Sequence, residues 1–416
     1  MHSRKPGVTC AAVVAISVTL LLTATSVTAQ EETVLYNFAS NNTDGTYPDA
    51  GLVSDSAGNL YGTTYSGGTH GVGAVFELTP KLGGGWNEKV LHNFNTNGTD
   101  GSYPQAGLIV DASGDLYGTT YSGGVHGFGT VFELTPPAGG GWGEKILHAF
   151  NSNSTDGQSP SASLIFDAAG NLYGTTVFGG TADGGTAFEL SPTKGGSWGE
   201  KILHNFTYSA TDGNEPFAGL IFDSAGNLYG TTAFGGAHGG GMVFELVPNA
   251  NGSWGERILT AFADNGTEGY NPFAGLIADA SGNLYGVTYR GGTDNKGTVF
   301  ELTPHAGGGW LETTPHNFLN DGTDGNGPYP ALIFDTRGNL YGTTTLGGTN
   351  GAGTAFELAP QGGGVWNESI LYDFNDNGTD GFAPVASLIF DSSGNLYGTT
   401  YLGGASDSGA VFEITP

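Results

Sequence analysis

The sequence predicts an all-β protein, a seven-bladed β-propeller, and three observations support this fold. The segment Leu-Tyr-Gly returns seven times along the chain, always 56 residues apart, as at Leu60, Leu116 and Leu172. Each repeat contains four short runs of apolar, aromatic and β-branched residues, which is typical of antiparallel strands. The chain stops after the third run of the last repeat, and a matching fourth run stands at residues 31–38. A strict long period with four strands per unit indicates one propeller with one blade per repeat.

The third repeat shows how each blade is expected to be built. Its four runs, bounded by Gly, Pro and Asp, are predicted as strands A to D, named from the axis of the ring outward. They cover residues 163–167, 172–176, 186–190 and 198–206. The segment between strands A and B is predicted as a turn, because Asp and Asn side chains bond the local backbone and Gly accepts a positive φ. Glycine and proline recur too often for helices.

The residues within strands A and B indicate burial between neighbouring blades. Strand A is a continuous apolar run, which is typical of a strand covered on both faces. Strand B has a glycine in its middle, and such a glycine marks the close approach of another group. We expect that group to be an aromatic ring from the next blade. The glycines of this set are Gly62, Gly118, Gly174, Gly230, Gly286, Gly342 and Gly398.

The two ends of the chain predict how the ring closes. Blade 7 has no strand D of its own, because the chain stops at Pro416 just after strand C. Residues 31–38 match strand D of the other repeats and are expected to complete blade 7. This pairing removes an open sheet edge, which would otherwise promote aggregation. The sequence therefore predicts a single propeller domain over residues 30–416.

Residues 1–29 differ from the repeats and are typical of a secretory signal peptide. Two basic residues precede an apolar stretch at residues 11–24, and Val27-Thr28-Ala29 is a small-residue cleavage motif. The apolar stretch is short for a membrane span. We expect secretion to the extracellular space or the periplasm, with no membrane insertion after cleavage. The only cysteine, Cys10, lies in this segment, so no disulfide is expected in the mature chain.

The chain is strongly acidic, with 39 Asp and Glu against 11 Lys and Arg and a formal net charge of −28. Such a field repels nucleic acid and anionic membranes, so neither is an expected partner. It favours solubility, cationic ligands and metal ions. Solubility outside the cell is the simpler interpretation, and we expect a monomer.

The repeated motifs resemble one known family. They are Leu-Tyr-Gly-Thr-Thr, a Gly-Gly pair a few residues later, Val-Phe-Glu-Leu-Thr-Pro and a tryptophan that opens strand D. With these motifs the whole of residues 30–416 resembles the GloVer (Gloeo/Verruco) tandem-repeat family of choice-of-anchor type bacterial secreted or surface proteins. The resemblance implies a repeat architecture outside the cell and no assigned reaction. A looser likeness to Kelch propellers, which also place Gly-Gly after strand B, implies the fold only.

The loops of a propeller fall on two faces, and one of them is the predicted ligand face. It carries the long D–A loops and the Gly-rich B–C loops, and rigid scaffolds commonly present binding residues on such loops. Each D–A loop contains one acidic residue in a Thr-Asp-Gly or Thr-Glu-Gly motif. These ligand-face candidates are Asp44, Asp100, Asp156, Asp212, Glu268, Asp324 and Asp380.

The acidic loops have two interpretations. In the fullest copy, Asn375, Asp376, Asn377 and Asp380 form a candidate metal site, because closely spaced oxygen ligands suit a hard cation such as Ca²⁺. The loop lacks the frame and the final glutamate of an EF-hand. The simpler interpretation is an Asx-stabilised turn before the proline that each loop carries. The sequence requires no cofactor, and Ca²⁺ remains the alternative.

Two acidic positions inside the blades are expected to be structural. Each strand A leads into Asp-x-x-Gly-Asn, which is similar to the Asp-box turn of sialidases and is explained by a tight hairpin. A sialidase also needs three converging arginines, and the arginines of this chain are placed too far apart to converge. Each strand C carries a glutamate, and a Lys or Arg of strand D is expected to pair with it in blades 1 to 4. A catalytic acid with a raised pKa is the alternative for these glutamates.

The histidines occupy two repeated positions. One is in the B–C loops, at His70, His126 and His238, and the other is on strand D, at His92, His148, His204 and His316. Equivalent histidines stand one blade apart, which is too far for two of them to share one ion, so zinc is not expected. Other blades have Tyr or Thr at the strand D position, which favours a packing role.

The fifth repeat departs most from the others. Tyr289, Arg290 and Lys296 bring an aromatic ring and two cations to one ligand-face loop. An irregular unit in a regular ring is where specificity is expected. Random drift of a loop is the alternative interpretation.

The near-identity of the repeats favours a binding module over an enzyme, because an active site needs a few distinct residues in one geometry. The predicted function is an extracellular module that binds carbohydrate or protein on the ligand face, without an evident catalytic constellation. The alternative is a calcium-dependent propeller enzyme of the hydrolase or lactonase kind, which uses carboxylates of the D–A loops.

Overall fold

The computed structural model describes residues 31–41, 43–137, 139 and 141–415. The predicted signal peptide at residues 1–29 lies outside the described residues. Within the described ranges, the strands form seven antiparallel sheets arranged as a seven-bladed β-propeller. Each sheet has four strands, and in blade 6 the segment Gly325–Pro328 adds a fifth. No helix in the described part of the chain is long and apolar enough to cross a membrane.

Strands A to D follow one another across each sheet. Strands A are Val53–Ser54, Ile109–Val110, Ile165–Phe166, Ile221–Phe222, Ile277–Ala278, Ile333–Phe334 and Ile389–Phe390. Strands B are Leu60–Thr64, Leu116–Thr120, Leu172–Thr176, Leu228–Thr232, Leu284–Thr288, Leu340–Gly347 and Leu396–Thr400. Strands C are Ala74–Pro80, Thr130–Thr135, Thr186–Pro192, Met242–Pro248, Thr298–Pro304, Thr354–Gly362 and Ala410–Thr415. Strands D are Trp86–Asn93, Gly143–Ala149, Trp198–Asn205, Trp254–Ala261, Trp310–Asn317, Val365–Asp373 and, for blade 7, Glu31–Asn37.

The N-terminal strand closes the ring as the sequence predicts. Glu31–Asn37 pairs antiparallel with Ala410–Thr415, and Thr33 stands opposite Glu413. The strand ends at Asn37, one residue before the predicted limit. Blade 7 is thus completed by the other end of the chain, and its strand C has a partner on both sides.

Strand A is shorter than predicted because it lies where the blades converge. Only two of its residues pair with strand B, as Ile165 with Tyr173 and Phe166 with Leu172. Just before strand A, neighbouring backbones approach so closely that a Cβ added to Gly51 would lie 3.3 Å from the carbonyl oxygen of Ser387. Small residues occupy this layer in every blade: Gly51, Gly107, Ser163, Gly219, Gly275, Ala331 and Ser387.

The hydrophobic core lies between the blades. Between blades 3 and 4, Tyr173 and Phe206 pack against Leu220, Leu228 and Phe244, all of them buried. The rings of Phe206 and Phe244 are 5.0 Å apart. Burial of one such side chain contributes roughly 1.5–3 kcal/mol. Because every blade presents an apolar surface to two neighbours, stability depends on the whole ring.

The glycine of strand B has the predicted close neighbour, but the predicted source of that neighbour is wrong. A Cβ built on Gly174 would lie 2.7 Å from Cζ of Phe188 and 2.9 Å from Cδ2 of Leu164. Phe188 is the cross-strand partner of Gly174 on strand C of the same blade. The ring of Phe188 therefore lies across its own sheet, over the position where Gly174 has no side chain.

The turn between strands A and B is the tight hairpin that the sequence predicts. Asp167 Oδ1 accepts hydrogen bonds from the backbone N–H groups of Ala169 and Asn171, at 2.8 and 2.9 Å. Asn171 Nδ2 and the Tyr173 hydroxyl donate to Asp167 Oδ2. Although burial raises the pKa of Asp167, these bonds to the carboxylate outweigh it and lower the pKa overall. The carboxylate therefore stabilises the turn.

The glutamates of strand C have the predicted cross-strand partners in blades 2 to 4. Lys145 Nζ lies 3.5 Å from Glu133, and Arg257 Nη1 lies 3.3 Å from Glu245. The sequence did not indicate a second partner, the tyrosine of strand B. The Tyr229 hydroxyl, for example, donates to Glu245 at 3.1 Å. These glutamates have structural partners on both sides.

Candidate functional site: the central mouth and the interblade clusters

The D–A and B–C loops form one face through direct pairing. In blade 3, Gly157 of the D–A loop stands opposite Gly179 of the B–C loop in a two-stranded antiparallel ladder. Each D–A loop also bonds the preceding blade, as in the 2.8 Å bond from Tyr103 N to Val72 O. The ligand face is therefore a continuous network around the ring and not a set of separate loops.

Each D–A loop holds the residue before its proline in a left-handed backbone conformation. The residues concerned, with φ between 54° and 66°, are Tyr47, Tyr103, Ser159, Glu215, Asn271, Gly327 and Ala383. For residues other than glycine this conformation costs free energy, and such strain tends to cluster at functional sites. Backbone hydrogen bonds to two neighbouring loops hold the residue in this conformation, for example the bond from Tyr65 N to Tyr47 O at 2.9 Å.

The residue after each proline lines a central cavity of about 410 Å³. We call this cavity the central mouth. The seven residues, one from each blade, are Asp49, Gln105, Ser161, Phe217, Phe273, Tyr329 and Val385. The small residues two positions further along each blade also line this cavity. These seven positions all differ from one another except for the two phenylalanines, although the repeats around them are nearly identical.

The central mouth has an aromatic side and a polar side. On the aromatic side the rings of Phe273 and Tyr329 stack at 5.6 Å, and Phe217 meets Phe273 edge-on at 5.4 Å. On the polar side stand Asp49 and Gln105, with Tyr121 also lining the cavity. Most ligand cavities combine apolar rings with a few polar groups that fix orientation. The central mouth has this composition.

Asp49 is the distinctive polar group of the central mouth. Burial raises its pKa to about 6. Burial, and next the charge of Asp49, raise the pKa of Tyr329 to about 12. The pKa values of Tyr65 and Tyr401 are also raised, first by burial and then by charges that include Asp49. One carboxyl group and several tyrosine hydroxyls thus share this part of the face.

The acidic residues proposed for the ligand face are placed mostly inside it. Asp44, Asp100, Asp156, Asp212, Asp324 and Asp380 are buried, whereas Glu268 is exposed. Asp100 Oδ2 accepts hydrogen bonds from Asn95 N at 3.1 Å and Asn95 Nδ2 at 2.6 Å. Asn97 Oδ1 caps the same loop through Thr99 N and Asp100 N. This set of acids shapes the loops and does not line the central mouth.

The candidate calcium loop directs its oxygens into its own turn. Asn377 Oδ1 accepts from Thr379 N and Asp380 N, each at 2.9 Å. Asp380 Oδ2 accepts from the Tyr372 hydroxyl and from Asn375 N. Asp376 is exposed. These bonds account for the conformation of the loop, and calcium binding here stays a prediction.

The three candidates of blade 5 are only partly brought together. Tyr289 joins the aromatic side of the mouth, with its ring 5.8 Å from that of Phe273. Arg290 is exposed, and its guanidinium lies 5.8 Å above the Tyr289 ring. Lys296 is half-buried, and its carbonyl oxygen accepts a hydrogen bond from Gly327 N. Tyr289 is therefore the member of this group that contacts the mouth residues.

The strand D histidines lie in clusters that sequence reasoning missed. His92 Nε2 lies 3.3 Å from Asp100 Oδ2 of the following loop and 3.5 Å from Glu144 Oε1 of the next blade. Four such clusters occur among the described residues: His92–Asp100–Glu144, His148–Asp156–Glu200, His204–Asp212–Glu256 and His316–Asp324–Glu368. Within each cluster the ligand atoms all lie within 4.8 Å of one another. The expectation that zinc is absent considered only pairs of histidines and overlooked these carboxylates.

A signal for these clusters was available in the sequence. A glutamate recurs on strand D in all seven repeats, at Glu32, Glu88, Glu144, Glu200, Glu256, Glu312 and Glu368. Its role was hidden because its partners belong to the preceding blade, more than 40 residues earlier in the chain for all but Glu32. Only the ring geometry shows that the end of one strand D lies beside the beginning of the next strand D.

At the three equivalent positions between blades that have no histidine, a hydroxyl group of strand D donates a hydrogen bond to a carboxylate. The Tyr36 hydroxyl donates to Asp44 Oδ2 at 2.9 Å, and the Tyr372 hydroxyl donates to Asp380 Oδ2 at 2.9 Å. Thr260 Oγ1 donates to Glu312 at 2.6 Å. These short bonds give the strand D position a hydrogen-bonding role in addition to the predicted packing role.

Burial and crowding of negative charge shift the pKa values of the groups at the interblade positions. Burial is the largest cause that raises the pKa of Glu32 and of Glu88 to about 7. The charges of Asp380 and Asp44, respectively, add to this effect. Burial lowers the pKa of His92, but the bond to Asp100 and the charge of Glu144 outweigh it and raise the pKa overall.

Fold and ring geometry define the chain as a repeat β-propeller protein. The Gloeobacter/Verrucomicrobia repeat matches residues 21–164, 86–278, 136–333 and 222–416. The chain therefore belongs to the Gloeobacter/Verrucomicrobia repeat family, as the motifs predict. No curated protein matches the chain.

Solved structures with the same fold share little sequence with the chain. The extracellular domain of the putative hybrid two component system BT4673 from B. thetaiotaomicron superposes with a TM-score of 0.56 at 10% identity, over 91% of this chain and 40% of that one. A second structure of that extracellular domain, described as a putative one component system, gives 0.55 at 14% identity over 93% and 42%. An ancestral GH74 enzyme, AFV00434, gives 0.55 at 14% identity over 92% and 50%. The chain thus spans half or less of these structures, and the likeness shows the fold alone.

Proposed function

We propose that the chain is an extracellular binding module that recognises carbohydrate at the central mouth. The observation that carries this proposal is the sidedness of the seven-residue ring, aromatic at Phe217, Phe273 and Tyr329 and polar at Asp49, Gln105 and Ser161. Sugar rings present C–H groups on one face and hydroxyl groups at the edge. Aromatic rings pack on such apolar faces, while carboxylate, amide and hydroxyl groups accept and donate hydrogen bonds at the edge.

The charge of the face favours a neutral ligand. Among the described residues that line the cavity, Asp49 is the only charged one. The whole chain is acidic, so an anionic sugar or a nucleotide would be repelled. An extracellular location is part of the proposal, and it is supported by the N-terminal sequence and by the extracellular domains among the structures of similar fold.

A glycan array probed with the full chain tests the proposal, followed by titration of the best neutral oligosaccharide. Phe273→Ala and Asp49→Asn should each weaken binding at least tenfold. Leu82→Ala is the matched control, because Leu82 is fully exposed in a C–D turn on the opposite face and should have no effect. Binding that survives Phe273→Ala but is lost in Leu82→Ala would move the site off the mouth. No binding to any glycan, with capture of a protein instead, would reject carbohydrate as the ligand.

A hydrolytic enzyme is the second candidate, and the raised pKa of Asp49 is the observation that favours it. A carboxyl group with a pKa near 6 suits a general acid. Most glycoside hydrolases, however, use two carboxyl groups about 5–9 Å apart. The cavity-lining residues described here include one carboxyl group, which supports binding over turnover. Product formation from a bound oligosaccharide, abolished in Asp49→Asn, would establish the enzyme.

A further inference from the structure

We propose that the four His–Asp–Glu clusters are zinc sites that join adjacent blades. Each site would take its histidine from the end of one strand D and its aspartate from the D–A loop that follows. Its glutamate would come from strand D of the next blade. This inference does not depend on the proposed carbohydrate site, because none of the cluster residues lines the central mouth.

The spacing of the ligand atoms supports a shared ion. Two ligands held about 2.1 Å from one zinc at the tetrahedral angle stand about 3.4 Å apart. From the histidine Nε2 atoms the distances to the aspartate are 3.3, 3.3, 3.4 and 3.4 Å. The distances to the glutamate are 3.5, 3.6, 3.7 and 3.4 Å. Charge-assisted hydrogen bonds are typically shorter, about 2.7–2.9 Å, so the histidine–aspartate hydrogen bonds are long, as at 3.4 Å between His92 Nε2 and Asp100 Oδ1. The same separations match those of two ligands around one zinc ion.

The same ring provides an internal comparison. Where tyrosine replaces histidine, its hydroxyl donates a 2.9 Å hydrogen bond to the equivalent aspartate, Asp44 or Asp380. The aspartate then has a direct partner. In the four histidine clusters the histidine instead stands 3.3–3.4 Å from the aspartate. The strand D glutamate has a buried Oε1 atom without a hydrogen bond in all four, at Glu144, Glu200, Glu256 and Glu368, and likewise beside the tyrosines, at Glu32 and Glu88. Two carboxylates around one imidazole need a positive charge, which either protonation of the imidazole or a bound divalent cation supplies.

The surrounding residues hold these ligands in place. Asp100 is nearly buried, with 3% of its side chain exposed, and it is oriented by hydrogen bonds from Asn95. His92 and Glu144 retain 17% and 19% exposure, so an ion can enter from the rim. Outer hydrogen bonds of this kind fix metal ligands and raise affinity.

The chemistry of the donors selects zinc over calcium. Calcium takes six to eight oxygen ligands, whereas each cluster offers three ligands, one of them an imidazole nitrogen. Zinc accepts this mixture of nitrogen and carboxylate oxygen and leaves its fourth position to water. The ion would therefore bridge two blades at the outer strands.

The stoichiometry of zinc in the full chain tests this inference. After EDTA treatment and its removal, the protein is dialysed against micromolar ZnCl₂, and bound zinc is measured by elemental analysis. We expect four ions per chain. The variant with His92→Tyr, His148→Tyr, His204→Tyr and His316→Tyr should bind none, and it should fold because tyrosine already occupies this position at Tyr36 and Tyr372.

The controls separate these sites from surface binding. The variant His70→Asn, His126→Asn and His238→Asn changes only exposed loop histidines and should keep four ions. Glu200→Gln, a single change, should reduce the count from four to three, even if the quadruple variant does not fold. Zinc that is absent in the parent chain, that is lost with the loop histidines, or that is displaced by calcium at equal concentration would overturn the proposal.

Discussion

Thr399 Oγ1 donates a hydrogen bond of 3.2 Å to the carbonyl oxygen of Ala50, which joins blade 7 to blade 1 across the closure of the ring. The same bond links consecutive blades elsewhere, as between Thr175 and Ala218 at 2.8 Å. Blade 5 has Val287 at this position and therefore lacks the hydroxyl. The closure thus uses the same contact as the continuous part of the chain.

Replacing Thr399 with valine should destabilise the protein by about 1 kcal/mol, because a buried carbonyl oxygen loses its donor while the shape is kept. Val287 shows that the site accommodates the substitution. Thr175→Val should cost a similar amount, and both values are obtained from urea unfolding monitored by tryptophan fluorescence. A loss at Thr175 with none at Thr399 would mean that the closure is not formed in solution.

The raised pKa values of two strand D glutamates predict that the stability of the protein decreases as the pH rises. Glu32 and Glu88 titrate near pH 7 in the folded chain, against a usual value of 4.5. The native state therefore binds more protons than the unfolded state between about pH 4.5 and 7, and deprotonation in this window destabilises it. The raised pKa of His92 acts in the same direction, since the stabilising imidazolium is lost as the pH rises.

Melting curves at pH 5.5, 7 and 8 in the presence of EDTA measure this effect without bound metal. We expect the highest melting temperature at pH 5.5 and a decrease toward pH 8. In Glu88→Gln the decrease should be smaller, because one buried charge is removed. A melting temperature that is constant or that increases over this range would contradict the assignment.

The period of 56 residues was sufficient to predict the fold, because local turns and strand patterns agree in all seven copies. Asp167, for instance, forms the predicted hairpin with Asn171, four residues away. The clusters and the central mouth could not be predicted in this way. His92 meets Glu144, and Asp49 shares a cavity with Tyr329, only because the ring brings separate repeats together. Periodicity describes each blade, whereas these sites depend on contacts between blades.

The glycine of strand B gives a packing prediction. In Gly174→Ala the new methyl group would lie 2.7 Å from the Phe188 ring, so the ring and Leu164 must move within a closed core. Overpacking of this kind costs typically 1–3 kcal/mol. Gly195→Ala is the matched control, because a Cβ there has no neighbour within 4 Å and no positive φ is involved. Urea unfolding should show a large loss for the first variant and little change for the second, and equal stabilities would refute the packing argument.

The left-handed residues of the ligand face give a prediction of opposite sign. Ala383 has a φ of 54°, and blade 6 places Gly327 at the same position. Ala383→Gly should stabilise the chain by up to about 1 kcal/mol, because relief of the backbone strain exceeds the added flexibility of the unfolded chain. Ala169→Gly, in an exposed turn without a positive φ, should instead destabilise it by about 0.5–1 kcal/mol. If both variants lose stability in urea unfolding, the conformation before the proline is not strained, and the strain cannot be a feature of the ligand face.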